Sequence, residues 1–322
     1  MKLLKLIPDN TNIKFLRWRV PFYGVSILLM IASIVLVFTQ GLNLGVDFVG
    51  GQTIRITFAE EVAPVAEARQ EIDALGYGEP IIQQIGQPNQ ISVRMKLPDE
   101  SDSALSDRMV RDIRETLEAN HPGVEIGSAR SVSGKVSNEL FRTGMIALAL
   151  AMLGISIYIW VRFEWQFGVG ALFALAHDVT LTIGLFALTQ MEFDLNIVAA
   201  ILTLIGYSLN DNIVIYDRVR ENLTKYRKMP LPELLDLSVN ETLSRTVVTS
   251  TSTIITLAAL LLLGPDVIFG FTAAIIFGIF VGTYSSIFMA TPILIWLGVT
   301  SDSFIPAESR ADAQERRVKG QA

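Results

Sequence analysis

Six apolar runs, each near the length that crosses a bilayer, constrain this chain more than any other feature. They are Val20 to Thr39, Thr143 to Val161, Phe167 to Thr189, Leu195 to Tyr216, Thr246 to Leu263 and Ile268 to Leu297. A helix of about 20 predominantly apolar residues spans a hydrocarbon core of about 30 Å. Of the 322 residues, 51% are hydrophobic and only 18% are charged. Concentration of the apolar residues in those runs makes the chain an integral membrane protein. The formal charge of −6 is divided between two aqueous faces, so it carries no argument about nucleic acid. Cysteine is absent, which excludes disulfides and thiolate metal sites but does not fix a redox compartment. The two histidines, His121 and His177, are too few for a multi-histidine metal site. No phosphate-binding loop, nucleophile elbow or metal-ligand spacing occurs, so no cofactor is expected and an ion gradient is the energy source left in view.

Loop charge predicts the topology. Residues 1–19 carry Lys2, Lys5, Lys14, Arg17 and Arg19, the 217–245 loop and the tail after 297 are also basic, and the 190–194 and 264–267 turns have no Lys or Arg. The positive-inside rule then places both termini in the cytoplasm. A cleaved signal peptide is the other reading of a basic flank before an apolar run. The run is long and Gln40-Gly41-Leu42-Asn43 follows it instead of a small-residue cleavage site, so a retained first helix is expected. The expected divisions are a cytoplasmic tail at 1–19, helix one at 20–39, an outer domain at 40–142, helices two to six at 143–297 and a disordered cytoplasmic tail at 298–322.

Residues 40–142 are soluble in composition. Gln52 to Phe58 alternates as a half-buried strand does. A helix is expected over Val62 to Leu75, stopped by Gly76, then two strands, Ile81 to Ile85 and Gln90 to Leu97, joined by Gly86-Gln87-Pro88-Asn89. A second helix over Ser103 to Ala119 and a strand over Val124 to Val132 complete the order βαββαβ, that of a ferredoxin-like α+β domain. Charges on its helices read as a solvated face, and His121, before a turn, as an ordinary exposed loop histidine.

The polar residues inside the apolar runs are the candidate site. The fourth run carries Tyr207, Ser208, Asn210, Asp211 and Asn212, then leaves the membrane through Asp217, Arg218 and Arg220. Asp211 lies about 15 residues, some 20 Å, along a helix, past the midplane. A carboxylate there should be paired, protonated or facing a polar crevice, and reads either as a functional group or as a structural polar contact. Tyr207, Ser208, Asp211 and Ile215 share a face by i, i+3 and i+4 spacing. On the fifth run Arg245, Thr249, Ser252 and Thr256 form a stripe, from a polar crevice or from packing alone. Arg245 enters from the side toward which Asp211 leans, so it could pair with Asp211 or snorkel to the headgroups. His177-Asp178 on the third run could extend a proton path or bond a neighbouring helix. The Gly278-x-x-x-Gly282 pattern reads as close packing, inside the bundle or against a partner.

These residues also carry a resemblance. Gly45-Val46-Asp47-Phe48-Val49-Gly50-Gly51, His177-Asp178, Tyr207-Ser208-Leu209-Asn210-Asp211-Asn212, Tyr216-Asp217-Arg218-Val219-Arg220-Glu221-Asn222 and Ser244-Arg245-Thr246 are similar to the SecF branch of the SecD/SecF protein-export family. The six-helix unit with one large loop after helix one resembles half of a resistance-nodulation-division transporter. The resemblance implies a subunit, not an enzyme, of a bacterial inner-membrane machine. Its implied partners are SecD, the SecYEG translocon, YajC, exported unfolded polypeptides and protons. The implied work is to use the proton motive force to help polypeptides cross and leave the membrane. Asp211 would carry the proton and Arg245 would bias its protonation, with Asp178 a further candidate. Tyr207, Ser208, Asn210, Asn212 and Thr249 would give polar support, and Asp47, Gly50 and Gly51 would shape the junction with the outer domain. With no fused SecD half, a complete transporter would need another chain. The rival readings are a half-size exporter of a small molecule or lipid, a non-transporting scaffold held by a fixed Asp211–Arg245 salt bridge, and an intramembrane enzyme, which lacks a nucleophile–base pair.

Overall fold

The computed structural model describes residues 8, 11–85, 87–96 and 103–300. The expected tail at 298–322 falls outside them beyond Thr300, as does most of 1–10. After a 3₁₀ turn at Phe15–Trp18, α1 runs over Arg19–Thr39 and a one-turn α2 over Val46–Val49. The soluble domain follows as β1 Gly51–Thr57, α3 Val65–Ala74, β2 Ile81–Gln84, β3 Gln90–Met95, α4 Ser103–Asn120, β4 Glu125–Ile126 and β5 Arg130–Val132. The helices α5 Gly134–Arg162, α6 Trp165–Thr189, α7 Leu195–Lys225, α8 Leu231–Leu263 and α9 Phe269–Ser285 complete the bundle. A π-turn at Ser286–Ala290 joins α9 to α10, Thr291–Trp296. Six of these helical stretches are long and apolar enough to cross a membrane.

The sheet order is β2-β3-β1-β4, all antiparallel, with β5 also on β1. This is the ferredoxin-like arrangement, with two differences from the sequence reading. The last strand is broken. Ile126 pairs with Ile56 and Arg130 with Thr53, so the register slips by one residue across Gly127, whose N–H instead bonds Arg55 O at 2.8 Å. An extra residue in one strand is a bulge, which bends the strand and increases its local twist. The first domain helix begins at Val65 rather than Val62, because Ala63 N–H is taken by Pro88 O of the hairpin. The domain has its own core, in which Ile54, Ile56, Ile91 and Val93 of the sheet meet Ile72, Met109, Ile113 and Leu117 of the two helices. His121 corrects the expectation of an exposed loop residue. It is buried beneath Phe58, edge to face at 5.1 Å, and its Nε2 lies 3.1 Å from Glu71 Oε2.

In the bundle the helices differ in depth. Within their apolar windows α6, α7 and the α9–α10 stretch are 56%, 50% and 56% buried, against 17%, 11% and 11% for α1, α5 and α8. The first three are therefore the centre, and the last three present apolar surface outward. Small residues allow the close approach. A Cβ on Gly278 would lie 2.4 Å from Leu204 Cδ1, and one on Gly282 3.2 Å from Ser208 Cβ, so this glycine pair packs α9 on α7 inside the bundle. Caps set the helix starts: Asp194 accepts from Ile197 N–H at the head of α7, and Ser133 from Val136 N–H at the head of α5.

Candidate functional site

The three central helices meet at a polar knot. Asp178 on α6 is fully buried. Its Oδ2 accepts from Ser208 Oγ of α7 at 2.5 Å and from Ser285 Oγ of α9 at 2.9 Å, and its Oδ1 lies 2.9 Å from His177 Nδ1. Gly282 leaves the room for this, since a Cβ there would stand 3.5 Å from Asp178 Oδ2. Asp178 thus makes the hydrogen bonds to neighbouring helices that one of its two readings expects. Ser285 was missed in the sequence, although a hydroxyl three residues after Gly282 in an apolar run was a legible signal.

Asp211 stands one helical turn from Ser208 on α7 and differs in kind. It is 3% exposed, and its Oδ2 has no hydrogen-bond partner among the described residues. Next to it in sequence, Asn212 is fully buried with neither amide atom partnered among the described residues, and Thr246 Oγ1 on α8 is likewise buried and unpartnered among them. The pairs Tyr207–Ser250, Arg218–Glu241 and Asn222–Ser238 fix the antiparallel register of α7 and α8 and place Asp211 level with the Thr246 to Thr249 turn. Buried polar atoms are nearly always satisfied in proteins. Asp211 therefore keeps spare bonding capacity at Oδ2, while both oxygens of Asp178 are engaged.

Arg245 does not close on Asp211. It is exposed, makes no ion pair among the described residues, and lines a surface cleft of about 420 Å³ with Val214, Asp217, Glu221 and Thr242. The stripe it belongs to points out of the bundle. Thr249 and Thr256 are exposed and bond their own backbone, Thr249 Oγ1 donating to Arg245 O at 3.0 Å and Thr256 Oγ1 to Ser252 O at 3.1 Å. Tyr207 reaches α8 through Ser250 at 3.4 Å, and Ser250 meets Thr283 of α9 at 2.8 Å. Asn210 is exposed.

Both ends of α7 are tied down. At the end far from the soluble domain, Arg218 sits between Glu221 at 2.6 Å and Glu241 at 2.7 Å, Asp217 faces Arg162 at 3.3 Å, and Arg220 lies 3.7 Å from Glu164 of the α5–α6 turn. At the other end α7 is held by Asp47, which is 1% exposed. Its Oδ2 accepts from Leu195 N–H at 3.1 Å and its Oδ1 from Arg130 Nη2 of β5 at 2.8 Å. A carboxylate at a helix N-terminus also meets the positive end of the helix dipole. Gly50 and Gly51 then turn the chain into β1 with φ of 70° and 115°. At Gly51 a Cβ would lie 2.4 Å from Met95 O, so no other residue fits.

The same junction holds the α6–α7 turn. Gly45 N–H bonds Phe193 O and Phe193 N–H bonds Asn43 O, each within 2.9 Å. Gln190, left-handed at φ 54°, accepts at its carbonyl from Asn43 Nδ2 and from Gln83 Nε2 of β2, both at 3.0 Å. Arg94 of β3 donates to Leu44 O and Asn43 Oδ1. Burial pushes Glu192 and Asp194 in this turn above the usual carboxylate range, with Arg94 pulling Glu192 partly back. Sequence reasoning found Asp47 and the glycine pair but missed Asn43, Gln83, Arg94, Arg130 and Gln190. They are ordinary polar residues in loops and strands, with no spacing to betray a shared site.

Comparison with known proteins agrees with this layout. Residues 112–300 match the family described as protein export membrane protein SecD/SecF, C-terminal, and residues 35–62 match the SecD/SecF GG motif, the segment built around Asp47. The chain is 46% identical to the protein translocase subunit SecF of Cereibacter sphaeroides, over 92% of this chain and 93% of that one. It is 44% identical to SecF of Rhodobacter capsulatus, over 92% of each. A crystal structure of SecDF from Thermus thermophilus, a translocon-associated membrane protein, superposes with a TM-score of 0.81 at 33% identity, covering 91% of this chain and 39% of that longer one. By family match, identity and fold together, this chain belongs to the SecF family of protein translocase subunits.

Proposed function

We propose that this chain couples proton movement through its helix bundle to motion of its soluble domain, and so assists polypeptides across and out of the bacterial inner membrane. The observation that carries the proposal is Asp211, buried with an unpartnered carboxylate oxygen on the same helix whose far end Asp47 pins to the soluble domain. A carboxylate in that setting gains and loses a proton according to what approaches it. Arg245 is the charge that biases it, moving from its exposed cleft toward Asp211 when a partner helix covers that face. The outward-facing stripe on α8 and the short share of SecDF that this chain covers both support SecD as that partner, with the SecYEG translocon and YajC as further associates. Both termini lie in the cytoplasm and residues 40–142 in the periplasm, on the loop charges. Moving one proton down a potential of 100 mV releases about 2.3 kcal/mol.

The scaffold reading needs a fixed salt bridge that Arg245 does not make here, and a 40–142 domain offers little wall for a small-molecule channel. Export into inner-membrane vesicles with an imposed proton gradient tests the proposal, comparing wild type with Asp211→Asn at equal assembly of the complex. The gradient should stimulate export by wild type and not by the variant. Full stimulation of the variant refutes Asp211 as the proton carrier.

A further inference from the structure

We propose that the open edge of β2 is a docking strand for the exported polypeptide, which adds to the sheet as a transient extra strand. The inference rests on the translocase reading above and names the surface that grips the substrate. β2 is the terminal strand of the sheet, and no other described segment pairs with its outer side. The ladder phase follows from Ile85 N–H donating to Gln90 O at 3.0 Å and from the register Ile81 with Arg94 and Gln83 with Ser92. Ile81, Gln83 and Ile85 turn their backbone groups inward to β3, so Ile82 and Gln84 turn an N–H and a C=O each to the open edge. Such groups recognise any extended backbone whatever its side chains, which is what a carrier of many sequences needs.

The surroundings fit an extended chain. A cleft of about 440 Å³ opens along the start of the strand between Tyr77, Ile81, Ile82, Met95 and Lys96, and a second of about 270 Å³ opens at its end between Gln84, Ile85, Met191 and Phe269. One cleft therefore opens at each end of the strand. Ile81 and Gln84 are exposed beside it. The edge is four residues long. That is too little to support a permanent partner, whose interface buries about 1,000 Å² or more. A short ladder binds and lets go, as a passing polypeptide requires. Gln83 connects the grip to the bundle, since its Nε2 donates to Gln190 O of the α6–α7 turn while its Oε1 accepts from Asn43 Nδ2 at 2.6 Å. Motion of that turn therefore moves the strand.

The chain contains no cysteine, so a single introduced cysteine is its only thiol. The probe is an exported polypeptide arrested in transit in de-energised membranes that contain the full complex, carrying one cysteine at successive positions of an extended segment. With Gln84→Cys, disulfide yield should alternate with a period of two along the polypeptide and exceed by at least about fivefold the yield from Arg111→Cys on the exposed face of α4. Gln84→Pro removes one outward N–H and leaves the β2–β3 ladder intact, so in an Ile81→Cys background it should cut the yield severalfold, while Gln84→Ala should not. Equal yields at Gln84→Cys and Arg111→Cys, a linkage only to a partner subunit, or equal yields for the Pro and Ala variants would overturn the proposal. Because the membranes are de-energised, docking is read separately from the proton gradient. Cross-links without gradient-stimulated export would sink the proton reading and leave this one standing.

Discussion

Replacing Asp47 is the sharpest structural perturbation available, because one buried side chain joins the soluble domain to the head of α7. Its Oδ2 takes the Leu195 N–H at 3.1 Å and its Oδ1 takes Arg130 at 2.8 Å. A hydrogen bond to a charged group contributes about 1.5–3 kcal/mol. The Arg130 side chain is 58% exposed, so solvent screens that pair and it adds at most about 1 kcal/mol. Removing the carboxylate also relieves its own desolvation, which offsets part of the loss. Asp47→Ala should therefore loosen the junction by about 2–3 kcal/mol, and Asp47→Asn by about 1–2, because an amide offers one oxygen to two donors. Hydrogen exchange on the purified full-length protein reads this locally. About 2 kcal/mol is a roughly 30-fold loss of protection, expected in peptides covering 41–50 and 190–198 and absent from the domain core strands β1 and β3. A change below about threefold in those peptides would refute the claim that Asp47 holds the junction.

Four further outcomes are expected. Gly51→Ala should cost more than about 3 kcal/mol and leave the soluble domain protease-sensitive, since φ is 115° and Met95 O blocks the Cβ, whereas Gly41→Ala, at φ 72° with open space, should cost only about 1 kcal/mol. Gly278→Ala should lower thermal stability in detergent by about 1–3 kcal/mol as Leu204 is displaced. Ser285→Ala should cost about 1–2 kcal/mol by taking one donor from Asp178, yet spare proton coupling, because Asp211 is untouched. The junction should also respond to pH. Burial raises Glu192 and Asp194 in the folded state above their ordinary values of 4.5 and 3.8, so their contribution is fully present below those values and is lost as pH rises through the raised ones. Melting followed from pH 4 upward should show stability falling toward neutrality, and Glu192→Gln should flatten the fall.

Fold and site were legible to different depths. The six spans could be read because apolar length is itself the physical requirement for crossing a bilayer, and the βαββαβ order because strand and helix periods alternate cleanly over residues 52–132. The split of the last strand could not be read, since the bulge at Gly127 answers to Arg55, which is distant in sequence. His121 was misjudged for a similar reason: its neighbours in sequence form a turn, but Glu71 and Phe58 close over it in space. In the bundle the costly residues announced themselves, because Asp178, Asp211 and Arg245 stand out in apolar runs. Their environments did not. Periodicity places Asp178 and Asp211 in spans, but only the packing of α7 and α9 on α6 shows that two serines bond the first while Oδ2 of the second is left open. The junction around Gln190 was invisible because hydrogen bonds among loop amides leave no pattern in the sequence.

The central claim is that Asp211 carries the proton. Proteoliposomes holding the complete complex, with a pH-sensitive dye inside and an imposed proton gradient, test it most directly. Wild type and Ser285→Ala should admit protons at similar rates, while Asp211→Asn should not rise above protein-free liposomes. Proton entry at the wild-type rate through Asp211→Asn would contradict the account and move the pathway elsewhere in the bundle.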